Sequence, residues 1–198
     1  MQDLLSHDIR QSLRPYGRIN PWSSLSSDSV PASSLSITAE LDSAVQHLAA
    51  YLSFLSKVLA EAPLKRTCRQ LALSIQSFLW DHVLMRNNFS TSGVAQFTRD
   101  LYALWEVFDR YLGPGQGETG MRKLKEAVGL LGMSIAPTRE EGGADAVGGG
   151  EGLSIWEVEK RMFRDNESAR EVLEELGIES LTEAEARSVL ERRLELSS

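Results

Sequence analysis

The 198-residue chain is 42% hydrophobic and 25% charged, with a formal net charge of −7 at pH 7, a balance that supports a buried core and argues against wholesale disorder. Nucleic-acid binders draw affinity from phosphate neutralisation and carry a basic stripe; here the longest basic cluster is Lys65-Arg66 with Arg69, so no nucleic-acid partner is expected. No apolar run approaches the roughly 20 residues that cross a bilayer, which leaves peripheral, indirect attachment as the expected membrane contact.

The first element expected is a helix over 2–14, with Leu4, Leu5, Ile9 and Leu13 on one side. Pro15 to Ser36 is polar and rich in Pro and Ser, which reads as a long loop. Loops this long are unusual inside a compact domain, so 15–37 reads as an insertion between helices. From Thr38 to Ala62 the residues Leu41, Val45, Leu48, Leu52, Leu55 and Leu59 alternate four and three apart, the spacing of one helix face. Thr38 offers a hydroxyl as N-cap. The next helix is expected to start at Pro63, which has no N–H to lose at a first helical position. Leu64, Cys68, Leu71, Ile75, Phe78, His82 and Met85 form its stripe, and Asn87-Asn88 its stop. A third helix over 92–112 carries Val94, Phe97, Leu101, Leu104, Phe108 and Tyr111 and ends at Gly113-Pro114-Gly115.

A shorter helix is expected over 120–131. The stretch 137–152 is rich in Gly and poor in apolar residues and reads as a disordered linker. Beyond it, 153–198 is expected to hold three short helices: one over 154–164, one from Asn166 as N-cap to Gly177, and one from Thr182, whose spacing to Glu185 suits a capping box. Residues 1–136 carry 13 basic and 12 acidic side chains, whereas 137–198 carry 8 and 16, so the negative excess sits in the tail. The expected architecture is all-α: an antiparallel helical bundle over 1–136, a flexible linker over 137–152 and a short acidic helical tail over 153–198. The tail either docks on a basic partner or folds back on the bundle.

Residues suited to chemistry are few. His7, His47 and His82 lack metal-ligand partners at helical spacing, and neither HExxH nor CxxC occurs. His82 lies on an apolar stripe beside Asp81 and reads as a hydrogen-bonded interfacial residue rather than a general base. Cys68 occupies a core position, where thiols are inert; as a single cysteine without a preceding signal peptide it suggests a reducing, cytoplasmic setting. The Gly-rich stretches 113–120 and 142–152 contain no phosphate-cradling motif. No cofactor or metal is expected, and the chain reads as non-enzymatic. Among the aromatics, Phe97 and Phe108 lie on the stripe as core, while Trp80 and Trp105 lie just off it, suited either to the core or to a partner contact.

The stretch Phe78 to Leu101 resembles the C-terminal region of the RINT/TIP family of vesicle-tethering subunits. In that family an aromatic-rich helix ends in a polar N-x-F turn, and a Gly, a Gln and an Asp at helical spacing open the next helix. Trp80, Asn87, Phe89, Gly93, Gln96 and Asp100 fill those places here, as structural or partner-contact positions. Gly93 follows Ser92 where the family has two small residues. Trp156-Glu157-Val158-Glu159-Lys160-Arg161 and Leu181-Thr182-Glu183-Ala184-Glu185-Ala186 are similar to the end of fungal members. The resemblance extends from Leu35 to the end. It implies a C-terminal piece of a longer helical-rod tether, peripheral on the endoplasmic reticulum, that acts in Golgi-to-endoplasmic-reticulum retrograde transport through contacts with SNARE proteins and other tether subunits. A helical adaptor unrelated to membrane traffic is the rival reading, and a helical enzyme with a pocket in its bundle is another.

Overall fold

A computed structural model describes residues 2–25, 36–135 and 153–196. Among the described residues the chain forms nine α-helices and no strand. They are α1 (Gln2–Leu13), α2 (Ala39–Val58), α3 (Glu61–Leu79), α4 (Thr91–Leu112), α5 (Gln116–Gly120), α6 (Arg122–Leu131), α7 (Ile155–Met162), α8 (Asn166–Glu175) and α9 (Glu183–Leu190). The linker expected over 137–152, and residues 26–35 of the expected loop, lie outside the described residues.

The apolar stripes dictate which faces turn inward. Leu41, Ala44, Leu48, Leu52 and Leu55 of α2 are buried, as are Leu64, Cys68, Leu71, Ile75 and Phe78 of α3 and Val94, Phe97, Leu101, Leu104 and Phe108 of α4. Each buried Leu, Ile or Phe contributes about 2 kcal/mol. Among the first four helices the chief pairings skip one: α1 packs on α3, and α2 on α4, while α2 and α3 meet only sparingly. α1 also packs on α2, so it separates the two helices that a two-residue connection joins. A short turn makes its flanking helices neighbours at the joint; what lies along their length depends on which stripes match.

Several helix boundaries differ from expectation. Thr38 flanks α2 in an extended conformation, but its side chain makes no cap hydrogen bond and is used elsewhere. α3 begins at Glu61, which puts Pro63 within the first turn rather than at its start; the missing N–H still costs nothing, because the first turn's amides have no intrahelical acceptor. After Leu79 the backbone widens into a π-turn over Trp80–Leu84, closed by the Met85 N–H donating to the Trp80 carbonyl at 3.0 Å. Asn87 then acts through its side chain, Nδ2 donating to the Val83 carbonyl at 2.7 Å.

The acidic tail is folded back on the bundle. Its Ile155, Val158, Met162, Ala169, Val172, Ala186, Val189 and Leu190 belong to the same apolar cluster as α2, α3 and α4. α9 packs on α6, and α7 packs on α8 and α9. Charges line this seam: Arg122 meets Glu179 at 2.6 Å, and Lys123 meets Glu185 at 2.5 Å. Such pairs, exposed or only partly buried, contribute about 1 kcal/mol each, so apolar burial holds the tail and the ion pairs set its register. Asp165, not Asn166, caps α8, accepting from the Ser168 N–H at 2.7 Å. Gly177 takes φ +66° after α8, and Thr182 and Glu185 form both bonds of the capping box.

Candidate functional site

Four of the six motif residues, Phe89, Gly93, Gln96 and Asp100, share a site at the start of α4, whereas Trp80 lies under Lys123 and Asn87 bonds the Val83 carbonyl. Ser90 opens that helix, its Oγ accepting from the Gly93 N–H at 3.1 Å. About two turns beyond Gly93, Asp100 is buried, at 1% exposure. Its carboxylate accepts from the Tyr16 hydroxyl at 2.9 Å, the Thr38 N–H at 2.8 Å, the Thr38 hydroxyl at 2.6 Å and Gln96 Nε2 at 3.2 Å. Gln96 also donates to the Ser36 carbonyl at 2.9 Å. Burial raises the Asp100 pKa above the usual carboxylate range, and the donated bonds from Thr38, Tyr16 and Gln96 pull it partly back. Burial, and then the neighbouring carboxylate, push the Tyr16 phenol up. The Thr38 hydroxyl thus serves α4 rather than its own helix.

Above the carboxylate sits an aromatic cluster. Trp22 meets Tyr16, Phe89 and Phe97 at centroid distances of 5.6 Å each, and Phe89 meets Phe97 at 5.5 Å. Such pairs contribute about 1 kcal/mol beyond their buried area. The Trp22 indole N–H finds no acceptor among the described residues, a cost of about 1–3 kcal/mol that this packing offsets. Trp22 and Tyr16 come from the polar stretch read as a loop, yet both are fully buried. A lone Trp between Tyr16 and Ile19 and the following Ser-rich run was the signal in the sequence. Gly93 explains itself here: a Cβ would lie 2.0 Å from the Trp22 carbonyl oxygen. Gly93→Ala is therefore expected to cost about 3 kcal/mol, at the upper end of overpacking, measured as a lowered denaturant midpoint at unchanged m-value. A midpoint equal to wild type would mean that the strand of chain at Trp22 yields freely.

The tail closes the same site. The Phe89 N–H donates to the Arg192 carbonyl at 2.7 Å, and the Leu194 N–H donates to the Phe89 carbonyl at 3.0 Å, one isolated parallel bridge. Arg193, at 1% exposure, donates to the Leu131 carbonyl and, at 2.7 Å, to the Thr91 hydroxyl. Its Nε lies 2.8 Å from a Glu195 carboxylate oxygen. Glu195 in turn accepts from the Thr91 N–H and hydroxyl at 2.8 and 2.7 Å. Nothing in the sequence pattern marks Arg193 or Glu195; an Arg in an acidic tail reads as solvated until a buried carbonyl is found beside it.

Apart from the Trp22 indole N–H, the polar atoms of this site are spent on one another, which makes it a structural knot that fastens two distant segments to α4. Trp80 is half-buried and packs beneath Lys123, whose Nζ lies 4.1 Å from the ring centroid. Trp105 is buried, which settles its role as core. His82 stacks on Phe78 at 4.4 Å with its Nδ1 3.1 Å from the Phe78 carbonyl. Cys68 is buried and its thiol is pushed up to about 11 by burial, so it is not a thiolate at neutral pH. Among the described residues no group of His, Cys, Asp and Glu side chains is placed to hold a metal ion.

A family model described as the RINT-1/TIP-1 family matches residues 1–193. That span starts before Leu35, where the resemblance in the sequence began, and it includes Tyr16, Trp22 and the Arg193 anchor. The fold also matches a chain in the crystal structure of the SNARE Sec20 bound to the Dsl1 complex subunit Tip20, with a TM-score of 0.64 and 22% identity. The match covers 96% of this chain and 31% of that one, so this chain spans about a third of its structural relative. At this identity the likeness speaks for the helical fold alone. No curated protein sequence matches. With one family model running from the first helix to the residue that locks the tail, the chain belongs to the RINT-1/TIP-1 family.

Proposed function

We propose that the chain is a non-catalytic part of a vesicle-tethering complex that acts in Golgi-to-endoplasmic-reticulum retrograde transport. It works through contacts with SNARE proteins and other tether subunits, peripheral on the endoplasmic reticulum membrane. The observation that carries this reading is the family match over residues 1–193. The structural relative, a chain of the complex between Sec20 and Tip20, supports a SNARE as the partner class. Two features of the chain fit. Its buried polar groups Asp100 and Arg193 are consumed in holding distant segments together. Among the described residues no helix is long and apolar enough to cross a membrane. Packed helices hold contact surfaces at fixed distances, about 1.5 Å per residue along each axis.

The test is calorimetry of the purified chain against the cytoplasmic segment of a Sec20-type SNARE. A saturable complex with Kd near or below about 1 μM, roughly −8 kcal/mol, is expected, together with co-purification of SNARE and tether subunits from lysate. Neither heat nor co-elution from a chain with an intact helical spectrum would sink the reading and favour an adaptor outside membrane traffic.

A further inference from the structure

A cavity of about 480 Å³ opens between the N-terminal half of α3, the last turn of α4 and α5. Ala72, Phe108 and Leu112 give it an apolar floor. Lys65, Arg66 and Arg69 stand along one rim, facing Thr119 on the other. No Asp or Glu lines it, in a chain whose formal charge is −7. Lys65 is paired with Glu61 at 2.6 Å. Arg66 and Arg69, one helical turn apart and both exposed, form no ion pair among the described residues. The opposite wall is built in place. A Cβ on Gly117 would lie 2.5 Å from Trp105 Cα, and one on Gly120 would lie 2.9 Å from the Ala72 Cβ, so both glycines let α5 press on its neighbours. Asp109 accepts from the Gly115 and Gly117 N–H groups at 2.9 and 2.7 Å and fixes the turn that leads into α5.

We propose that this cleft docks an acidic peptide segment of a partner protein, with one large apolar side chain seated on the Phe108–Leu112 floor and its flanking carboxylates on Arg66 and Arg69. The proposal stands apart from the tethering reading and holds or fails independently of it. Three arguments select the occupant. The volume falls in the range of sites that enclose a small group, about 300–1,000 Å³. Guanidinium forks match carboxylates in a bidentate geometry, and nothing in the cleft competes for them. A free phosphate would leave the apolar floor wet. An anionic bilayer would meet the whole acidic surface of the chain, whereas a short segment feels mainly the rim, since charges beyond about 8 Å are screened at physiological salt.

The probe is a short fluorescein-labelled peptide in which leucine and phenylalanine alternate with Asp and Glu, read by anisotropy against the full chain. Saturable binding that weakens with salt is expected, with loss of about tenfold or more in affinity for the double variant Arg66→Glu/Arg69→Glu. Thr119→Trp, which fills the cleft and keeps both arginines, is expected to abolish binding. Both variants should keep the wild-type melting temperature, because all three positions are exposed. A lysine-substituted peptide is expected not to bind. The proposal is overturned by absent binding, by equal binding to both variants, or by arginine-dependent capture of phosphatidylserine vesicles without capture of the peptide.

Discussion

Arg193→Ala is expected to destabilise the chain by about 3–5 kcal/mol, the cost of breaking a buried, hydrogen-bonded charge pair by removing one partner. The substitution strips the Leu131 carbonyl of its donor and leaves the Glu195 carboxylate without its guanidinium, 28% of that side chain remaining exposed. In a domain of this size the loss corresponds to a melting temperature lower by roughly 10 °C or more. The release should be local before it is global. Hydrogen exchange at the amides of Phe89 and Leu194, which form the backbone bridge, is expected to accelerate more than exchange at Leu48 in the core of α2. Equal protection of both amides in the variant would show that apolar contacts of α9 hold the tail without the ionic anchor. The same anchor is sensitive to acid. Burial pushes the Glu195 carboxyl up, but the bonds from Thr91 and the charge of Arg193 outweigh it, so its folded pKa lies below the ordinary glutamate value of 4.5. Its contribution is therefore complete above about 4.5 and is lost as pH falls through the lower folded value.

Asp100→Ala ranks second, at roughly 3–4 kcal/mol. It removes the acceptor for four donors at once, and Tyr16, fully buried, has no water to turn to. An orphaned buried donor costs about 1–3 kcal/mol. Chemical denaturation should show the loss, and a double variant with Tyr16→Phe should recover part of it, because the orphaned hydroxyl is then gone. If Tyr16→Phe adds its full separate cost instead, the two residues are not coupled. The pH dependence of this site runs opposite to that of Glu195. The folded pKa of Asp100 is raised above 3.8, so its contribution is greatest below 3.8 and diminishes as pH rises through the folded value. In the Asp100→Ala variant that part of the pH profile should vanish.

The helices were legible wherever local chemistry decides. Heptad leucines marked α2, α3 and α4, the Thr182–Glu185 spacing marked the start of α9, and Gly177 marked the end of α8 with a left-handed backbone. What escaped was settled by residues far away in sequence. Trp22 is buried because Gly93 and Ser90 receive its carbonyl, 68 positions on from Trp22 in the case of the Ser90 bond. The Thr38 hydroxyl looked like a cap and is a donor to Asp100, which no local rule anticipates. Alternation of pairing, α1 with α3 and α2 with α4, follows from the insertion of α1 between two helices joined by a short turn. Of the motif positions, Gln96 and Asp100 were marked by the family resemblance, but their partners Tyr16, Ser36 and Thr38 lie in segments whose composition says only that they are polar.

The knot at the start of α4 also has a consequence for assembly of the fold in time. Its contacts join residues 84 positions apart, as in Tyr16 and Asp100, and 102 apart, as in Thr91 and Arg193. Such long loops are costly to close and slow to form. On a ribosome the bundle's helices can pair as they emerge, but the lock waits until Arg193 has been made. Until then the apolar faces of α6 and the aromatic site stand open, so a nascent chain stalled before that residue is the species most exposed to chaperones and to aggregation.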